Sequence, residues 1–197
     1  MTLQNRVLAT GDIVAHPARG LFMGNRGILH DERQNLGRHR WRHKAWIICT
    51  LKHKNWHRAV MSPNAYTELF FLDEAVAMAA GHRPCTLCRR PAYQAYRKAA
   101  GLTGSAKAMD DQLHGERAVP RKFDQRRHSA SAASLPDGAI IFDKVPKLVK
   151  GQFVYPVTPS RYGPADARPS GMVTVLTPPT SLAALSSGYR PILHGSV

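Results

Sequence analysis

Hydrophobic positions fall in short groups along this chain, and the spacing within each group predicts its form. Alternation over Asp12–His16 predicts a short strand, followed by a loop punctuated by Gly20, Gly24 and Gly27. The continuous run Ala45–Leu51 predicts a buried strand, Arg58–Met61 a second, and the aromatic and aliphatic stretch Glu68–Leu72 a third. Asp73 then stands as N-cap of a helix over Glu74–Ala80 that Gly81 ends. A second helix is predicted from Cys88 to Ala100, with Pro91 in its first turn and Gly101 closing it. A third, Ala106–His114, has Ser105 as N-cap and sets Met109 and Leu113 on one face.

Gly115–Ser134 is polar and reads as a loop. Beyond it, Ala139–Asp143, Gln152–Tyr155 and Met172–Leu176 read as short strands, and Ser181–Ser187 as a late helix. Seven of the fourteen prolines lie between Pro156 and Pro191, and repeated proline breaks strand ladders. The predicted fold class is therefore α+β. A small antiparallel sheet with two to three helices surrounds a cysteine knuckle in residues 1–114, and residues 115–197 form an irregular β-rich half. No clean linker separates the two regions, so they are expected to share one core.

Of the 197 residues, 43% are hydrophobic, which suffices for a buried core. The longest apolar runs, Ala45–Cys49, Leu69–Leu72 and Ala75–Ala80, are far too short to cross a bilayer, which predicts no membrane partner. Met1–Arg6 has no long apolar segment of the kind that directs secretion. Three cysteines, an odd number, do not make a disulfide scaffold. A reduced, cytoplasmic protein is the expectation.

Charge changes this picture more than composition does. The chain has 28 Lys+Arg against 13 Asp+Glu, a formal net charge of +15. After Glu32 the next acid is Glu68, and the interval holds Arg33, Arg38, Arg40, Arg42, Lys44, Lys52, Lys54 and Arg58. A second cluster comprises Arg117, Arg121, Lys122, Arg126 and Arg127, diluted by Glu116 and Asp124. Concentrated cations attract polyanions, because neutralising phosphates releases condensed counterions. Nucleic acid, DNA favoured over RNA, is the partner expected. Arg38, Arg40, Arg42, Lys44, Lys52, Lys54, Arg121, Lys122, Arg126 and Arg127 are its candidate contacts. Trp41 and Trp56 stand among charges and suit stacking on bases, whereas Trp46 lies in an apolar run and suits packing.

The sharpest motif is Cys85-Thr86-Leu87-Cys88. Two thiolates three apart in a turn can reach one Zn²⁺, and a following helix N-terminus helps keep them deprotonated. A redox dithiol normally follows a strand in a βαβ unit, but here the motif follows a helix and a Gly-His-Arg-Pro turn. Zinc in a closed site takes four ligands, so histidines must contribute. His53 and His57, four apart, are the candidates. Cys49 and His53 have the same spacing, but Cys49 sits inside an apolar strand run, which ranks it as a substitute.

Residues Thr67–Arg90, with the run Gly81-His82-Arg83-Pro84-Cys85-x-x-Cys88-Arg89, resemble the N-terminal zinc-binding domain of the Ada-type DNA-repair proteins. The resemblance covers about residues 46–97. It implies a small α/β zinc module that contacts DNA phosphates, with its upstream ligand pair falling on or beside His53 and His57. In that family one upstream cysteine accepts methyl groups from alkylated phosphates. Histidine at both places lacks the thiolate this chemistry needs, so methyl transfer follows only with Cys49 and His53 as the upstream pair.

An enzyme acting on nucleic acid is the competing expectation. His16, Arg19, Asn25, Arg26, His30 and His114 are its candidate catalytic residues: histidine as base or ligand, arginine as a clamp on phosphate charge. Acids are few, and no Asp/Glu pair at metal-binding spacing stands out, which argues against a two-metal nuclease. A third expectation is a protein-interaction module whose basic face meets an acidic partner.

Overall fold

The computed structural model describes residues 2–55 and 59–197. Strands β1 (Gln4–Val7), β2 (Ile13–Ala15), β3 (Phe22–Asn25), β4 (Ile47–Thr50), β5 (Leu69–Phe71) and β6 (Arg83–Pro84) make the first sheet, in the order β2-β1-β5-β3-β4-β6. The pairs β1–β5 and β4–β6 are parallel and the others antiparallel. Helix α1 (Glu74–Ala79) leads from β5 towards β6, and α2 (Arg90–Ala99) and α3 (Ala106–Arg117) follow. A hairpin of β7 (Ala118–Val119) and β8 (Asp124–Gln125) comes next.

The second sheet contains β9 (His128–Ser131), β10 (Ile140–Asp143), β11 (Val145–Lys150), β12 (Phe153–Pro156), β13 (Asp166–Ala167) and β14 (Met172–Val175). Its order is β13-β12-β11-β10-β14-β9, antiparallel throughout. Helix α4 (Pro179–Ser186) precedes the C-terminal segment. The fold is α+β, as the sequence predicts. Among the described residues no helix is long and apolar enough to cross a membrane.

Several boundaries differ from expectation, each for a physical reason. The glycine-punctuated stretch is partly β3, a strand interior to the first sheet. Glycine is there for close approach rather than for a turn: a Cβ on Gly24 would lie 2.0 Å from the Ile47 carbonyl oxygen. Strand β1 escapes an apolar pattern because its buried positions include Asn5 and Arg6. Arg58 lies outside the described residues, and Ala59–Met61 form no strand. The polar stretch 115–134 holds the last turn of α3, the β7–β8 hairpin and β9. α2 begins at Arg90 rather than Cys88, so Cys85–Cys88 remains a turn.

Helix α1 is buried along its whole length. Its Ala77 and Met78 pack in a cluster with Ile48 and Phe71 of the first sheet and Ile141, Val149 and Val154 of the second. Ala75, Val76 and Ala79 belong to another with Leu72, Ile140, Leu148 and Leu176. Both clusters contain residues from each side of residue 115.

Two adjacent acids with no exposed surface, Asp73 and Glu74, begin this helix. Asp73 Oδ1 accepts from the Val76 amide at 2.9 Å, the N-cap bond predicted from sequence. Its Oδ2 accepts from the Tyr162 hydroxyl at 2.6 Å and the His194 amide at 3.0 Å. Glu74 pairs with Arg89 at 2.8 Å and accepts from the Tyr189 hydroxyl and, at 3.0 Å, from the Ile192 amide. Burial pushes the Asp73 carboxyl up and the hydrogen bonds pull it back only in part.

Tyr162→Phe leaves the ring in place and removes one bond from this buried carboxylate. The expected cost is about 1–3 kcal/mol, or roughly 2–10 °C in Tm for a chain of this size. An unfolding midpoint in urea equal to that of the parent would contradict the role given to Asp73.

Candidate functional site

Cys49, Cys85 and Cys88 come together with all three sulfurs within 4.8 Å of one another. Strand β4 and the turn after β6 do this. Ile48 is fully buried, so alternation turns Cys49 to the other face of β4, where it pairs with Met23 of β3. The Cys85 amide donates to the Ile48 carbonyl at 2.9 Å, which holds the Cys-x-x-Cys turn beside Cys49. The apolar run around Cys49 is a strand with two different faces, and Cys49 lies on the one that meets the Cys-x-x-Cys turn, which puts it with Cys85 and Cys88 rather than in the core. The motif also follows a short strand, β6, as a redox dithiol would, but the third sulfur fits a metal centre better than a dithiol.

The donor set passes a simple test. A tetrahedral ion with sulfur at about 2.3 Å needs sulfurs about 3.8 Å apart, which lies inside the observed limit. All three cysteines are free. Hydrogen bonds from Cys49 and Cys88 pull the Cys85 thiol pKa far down, and the Leu87 amide adds another at 3.4 Å; hydrogen bonding to Cys85 and Cys88, then burial, pushes Cys49 up. A bound cation would take the place of the shared protons. Thr86 and Leu87 in the turn are exposed. His53, half-buried four residues after Cys49, is outside the group that closes to 4.8 Å, and His57 lies outside the described residues.

A second constellation surrounds Trp46, which is 3% exposed and packs as expected. The guanidinium carbons of Arg26 and Arg117 lie over its ring at 4.2 and 4.1 Å. Burial lowers both arginines to about 9, so they remain cationic at neutral pH. His114 and Trp41 pack against the same indole, and Phe123 packs on Trp41 at 4.9 Å and His39 at 5.2 Å. Trp41 is thus half-buried in an aromatic cluster rather than free-standing, and Trp56 lies outside the described residues.

These ring contacts join two segments about 80 residues apart. Arg38, Arg42, Lys44, Arg121, Lys122, Arg126 and Arg127 are exposed, and Arg40 is half-buried with its Nη1 on the Gly37 carbonyl. Two are partly committed elsewhere: Lys44 pairs with Asp111 at 2.7 Å, and Arg127 lies over Phe142. Lys52 and Lys54 are exposed after β4, away from this pairing in sequence.

The six candidate catalytic residues do not converge. His16 and Arg19 line one cleft. Asn25 caps the Gly27 amide, and Arg26 bonds His82 and the Gly11 and Ala80 carbonyls. His30 bonds Thr67 at 2.6 Å and the Ser62 carbonyl, while His114 sits edge-on to Trp41 and Trp46. Sequence reasoning did not find Arg6, Asn5, Glu68 or Phe70 in that cleft; a lone arginine in a four-residue strand leaves no periodic signal. Comparison with known proteins gives no matching family model, no matching curated protein and no matching solved structure.

Two outcomes follow from these geometries. Purified protein is expected to carry one thiolate-bound ion per chain. Cys49→Ser, Cys85→Ser and Cys88→Ser should each lower metal content and reduce Tm by at least about 10 °C. Elemental analysis without stoichiometric metal would overturn the centre.

The second outcome concerns acid. His82 Nε2 accepts from Arg26, which requires a neutral ring; burial, then Arg26 and Arg117, hold its pKa well below 6.5. Burial, then Arg117 and Lys44, lower His114 to about 4. Groups depressed in the fold contribute stability above about pH 6.5, and lose it as pH falls towards 4 because the unfolded chain binds the protons first. His114→Phe keeps the ring contacts and should flatten its share of the fall in Tm. An unchanged difference between variant and parent at every pH would reject this.

Proposed function

We propose that this chain is a zinc-stapled nucleic-acid-binding protein of the cytoplasm, with DNA as its favoured partner and a role in repair or regulation. Cys49, Cys85 and Cys88 hold the ion, and a histidine of the His53–His57 segment completes the set. Four protein ligands leave no open position, so the ion's contribution is structural. Its placement fixes β6 and the start of α2 against β4.

One observation carries the partner assignment. The contacts of Phe123 with Trp41 and His39 bring the 38–44 and 118–127 segments together, which supports reading the two basic clusters as one cationic surface. Cations spaced over such a surface track a phosphate backbone without reading its sequence. The resemblance to Ada-type zinc domains supports the same partner.

Fluorescence anisotropy with labelled DNA and RNA duplexes tests this. Affinity should fall steeply with salt, with log K against log salt losing about 0.9 per phosphate contact. The combined change Arg38→Glu, Arg42→Glu, Arg121→Glu and Lys122→Glu affects exposed side chains only. It should weaken binding at least about tenfold and reduce the slope by about 2–4. No binding at low salt, or a salt-independent affinity, would sink the reading.

The position of Cys49 favours a second reading. With a cysteine rather than only histidines upstream of the knuckle, a metal-bound thiolate is available to accept a methyl group from an alkylated phosphate. Mass spectrometry after incubation with DNA bearing methylated phosphates would find one added methyl group on Cys49, or would rule the transfer out.

A further inference from the structure

On the first sheet, Arg6 of β1 is paired with Phe70 of β5, Phe70 with Met23 of β3, and Met23 with Cys49 of β4. This row crosses four strands. Arg6, Phe70 and Met23 line a cleft of about 900 Å³, and the row ends at the cysteine centre. Such a volume lies at the upper end for small-molecule sites and far exceeds what a lone inorganic ion needs.

The polar lining is unbalanced. Arg6, Arg19 and Lys52 line it with one acid, Glu68, so the described lining residues carry a net +2. Arg6 is 1% exposed. Its Nη2 donates to the Pro159 carbonyl, while among the described residues Nε and Nη1 have no acceptor. Burial lowers it to about 10, with Asp73 opposing, so it stays charged at neutral pH. A buried cation with unmade hydrogen bonds is costly, and an anion in the adjoining space offsets that cost. His16 Nδ1 accepts from the Ala18 amide at 3.1 Å, which leaves Nε2 as a donor. The rest of the wall supplies aromatic and aliphatic surface from Phe70, Tyr66, Met23 and Leu51.

We propose that this cleft binds an organic phosphate of nucleotide size, its dianionic group drawn to Arg6, Arg19 and Lys52 and its flat body against Phe70 and Met23. A dianion matches the +2 of the lining, which a single carboxylate does not. The site is separate from the 38–44 and 118–127 surface and does not depend on nucleic acid binding there.

Adenosine 5′-monophosphate is the probe, measured by calorimetry on the full chain. A dissociation constant below about 1 mM is expected, with adenosine at least about tenfold weaker. Arg6→Met should weaken binding at least tenfold while keeping or raising Tm, because it removes a buried charge. A purely structural Arg6 would instead lose stability. Arg19→Ala and Lys52→Ala alter exposed side chains, fold independently of that question, and should each weaken binding about threefold or more. The four-glutamate surface variant should bind the nucleotide as the parent does.

Competition by a 5′-phosphorylated oligonucleotide would identify a strand end as the source of the phosphate; its absence would identify a free nucleotide. No binding at about 5 mM, equal affinity for adenosine, or parent-like binding by both alanine variants would overturn the proposal.

Discussion

Two buried carboxylates in sequence, Asp73 and Glu74, are the constraint on which the rest of this molecule depends. Each would be expensive to bury alone, and each is satisfied by groups from distant parts of the chain. Tyr162 comes from the loop after β12, Tyr189, Ile192 and His194 from the C-terminal segment, and Arg89 from the start of α2. Removing any one partner leaves part of a charge exposed to an apolar interior. The two sheets and the C-terminal segment are therefore tied to one point, the head of α1.

That point sets where the three cysteines meet. α1 ends at Ala79, and just beyond it Gly81, with a φ of +86°, lets the chain turn sharply; a Cβ there would strike Arg117 at 2.4 Å. Two residues later the Arg83 amide bonds the Trp46 carbonyl, and β6 runs parallel to β4. Cys85 then lands beside Cys49. A change in the register of α1 would move this whole path, so the acids at one end of the helix position the sulfurs beyond the other. Arg83 adds a second anchor through two bonds to Asp110 of α3, at 2.9 and 2.8 Å.

What could be read from the sequence was what depends on local chemistry. The N-caps Asp73 and Ser105, Pro91 in the first turn of α2, and the buried strands around Ile48 and Leu69 all leave short-range signals, and they are where they were expected. The Cys-x-x-Cys turn belongs with them. Cys49 was harder, because an apolar run hides which face of a strand each residue occupies until its neighbours are known. β1 and β3 leave no such signal, because one arginine, two asparagines and one glycine stand at buried positions for reasons of tertiary contact. The cleft was invisible for the same reason: its residues come from several strands and loops, and only pairing across the sheet puts Arg6 in line with Cys49.

The net charge of +15 also divides once the fold is known. Among the described residues five arginines, Arg6, Arg26, Arg83, Arg89 and Arg117, are buried. Two are neutralised by buried acids, Arg83 by Asp110 and Arg89 by Glu74. Among the described residues the other three have no ion-pair partner. Arg26 and Arg117 are held instead by carbonyls and the π face of Trp46. Those weaker acceptors suffice because each guanidinium meets several of them. Among the described residues Arg6 has a single carbonyl acceptor, and it lines the large cleft of the first sheet. Part of the basic character that looks like a surface property is therefore interior, and the position where the interior charge is least compensated borders the cleft.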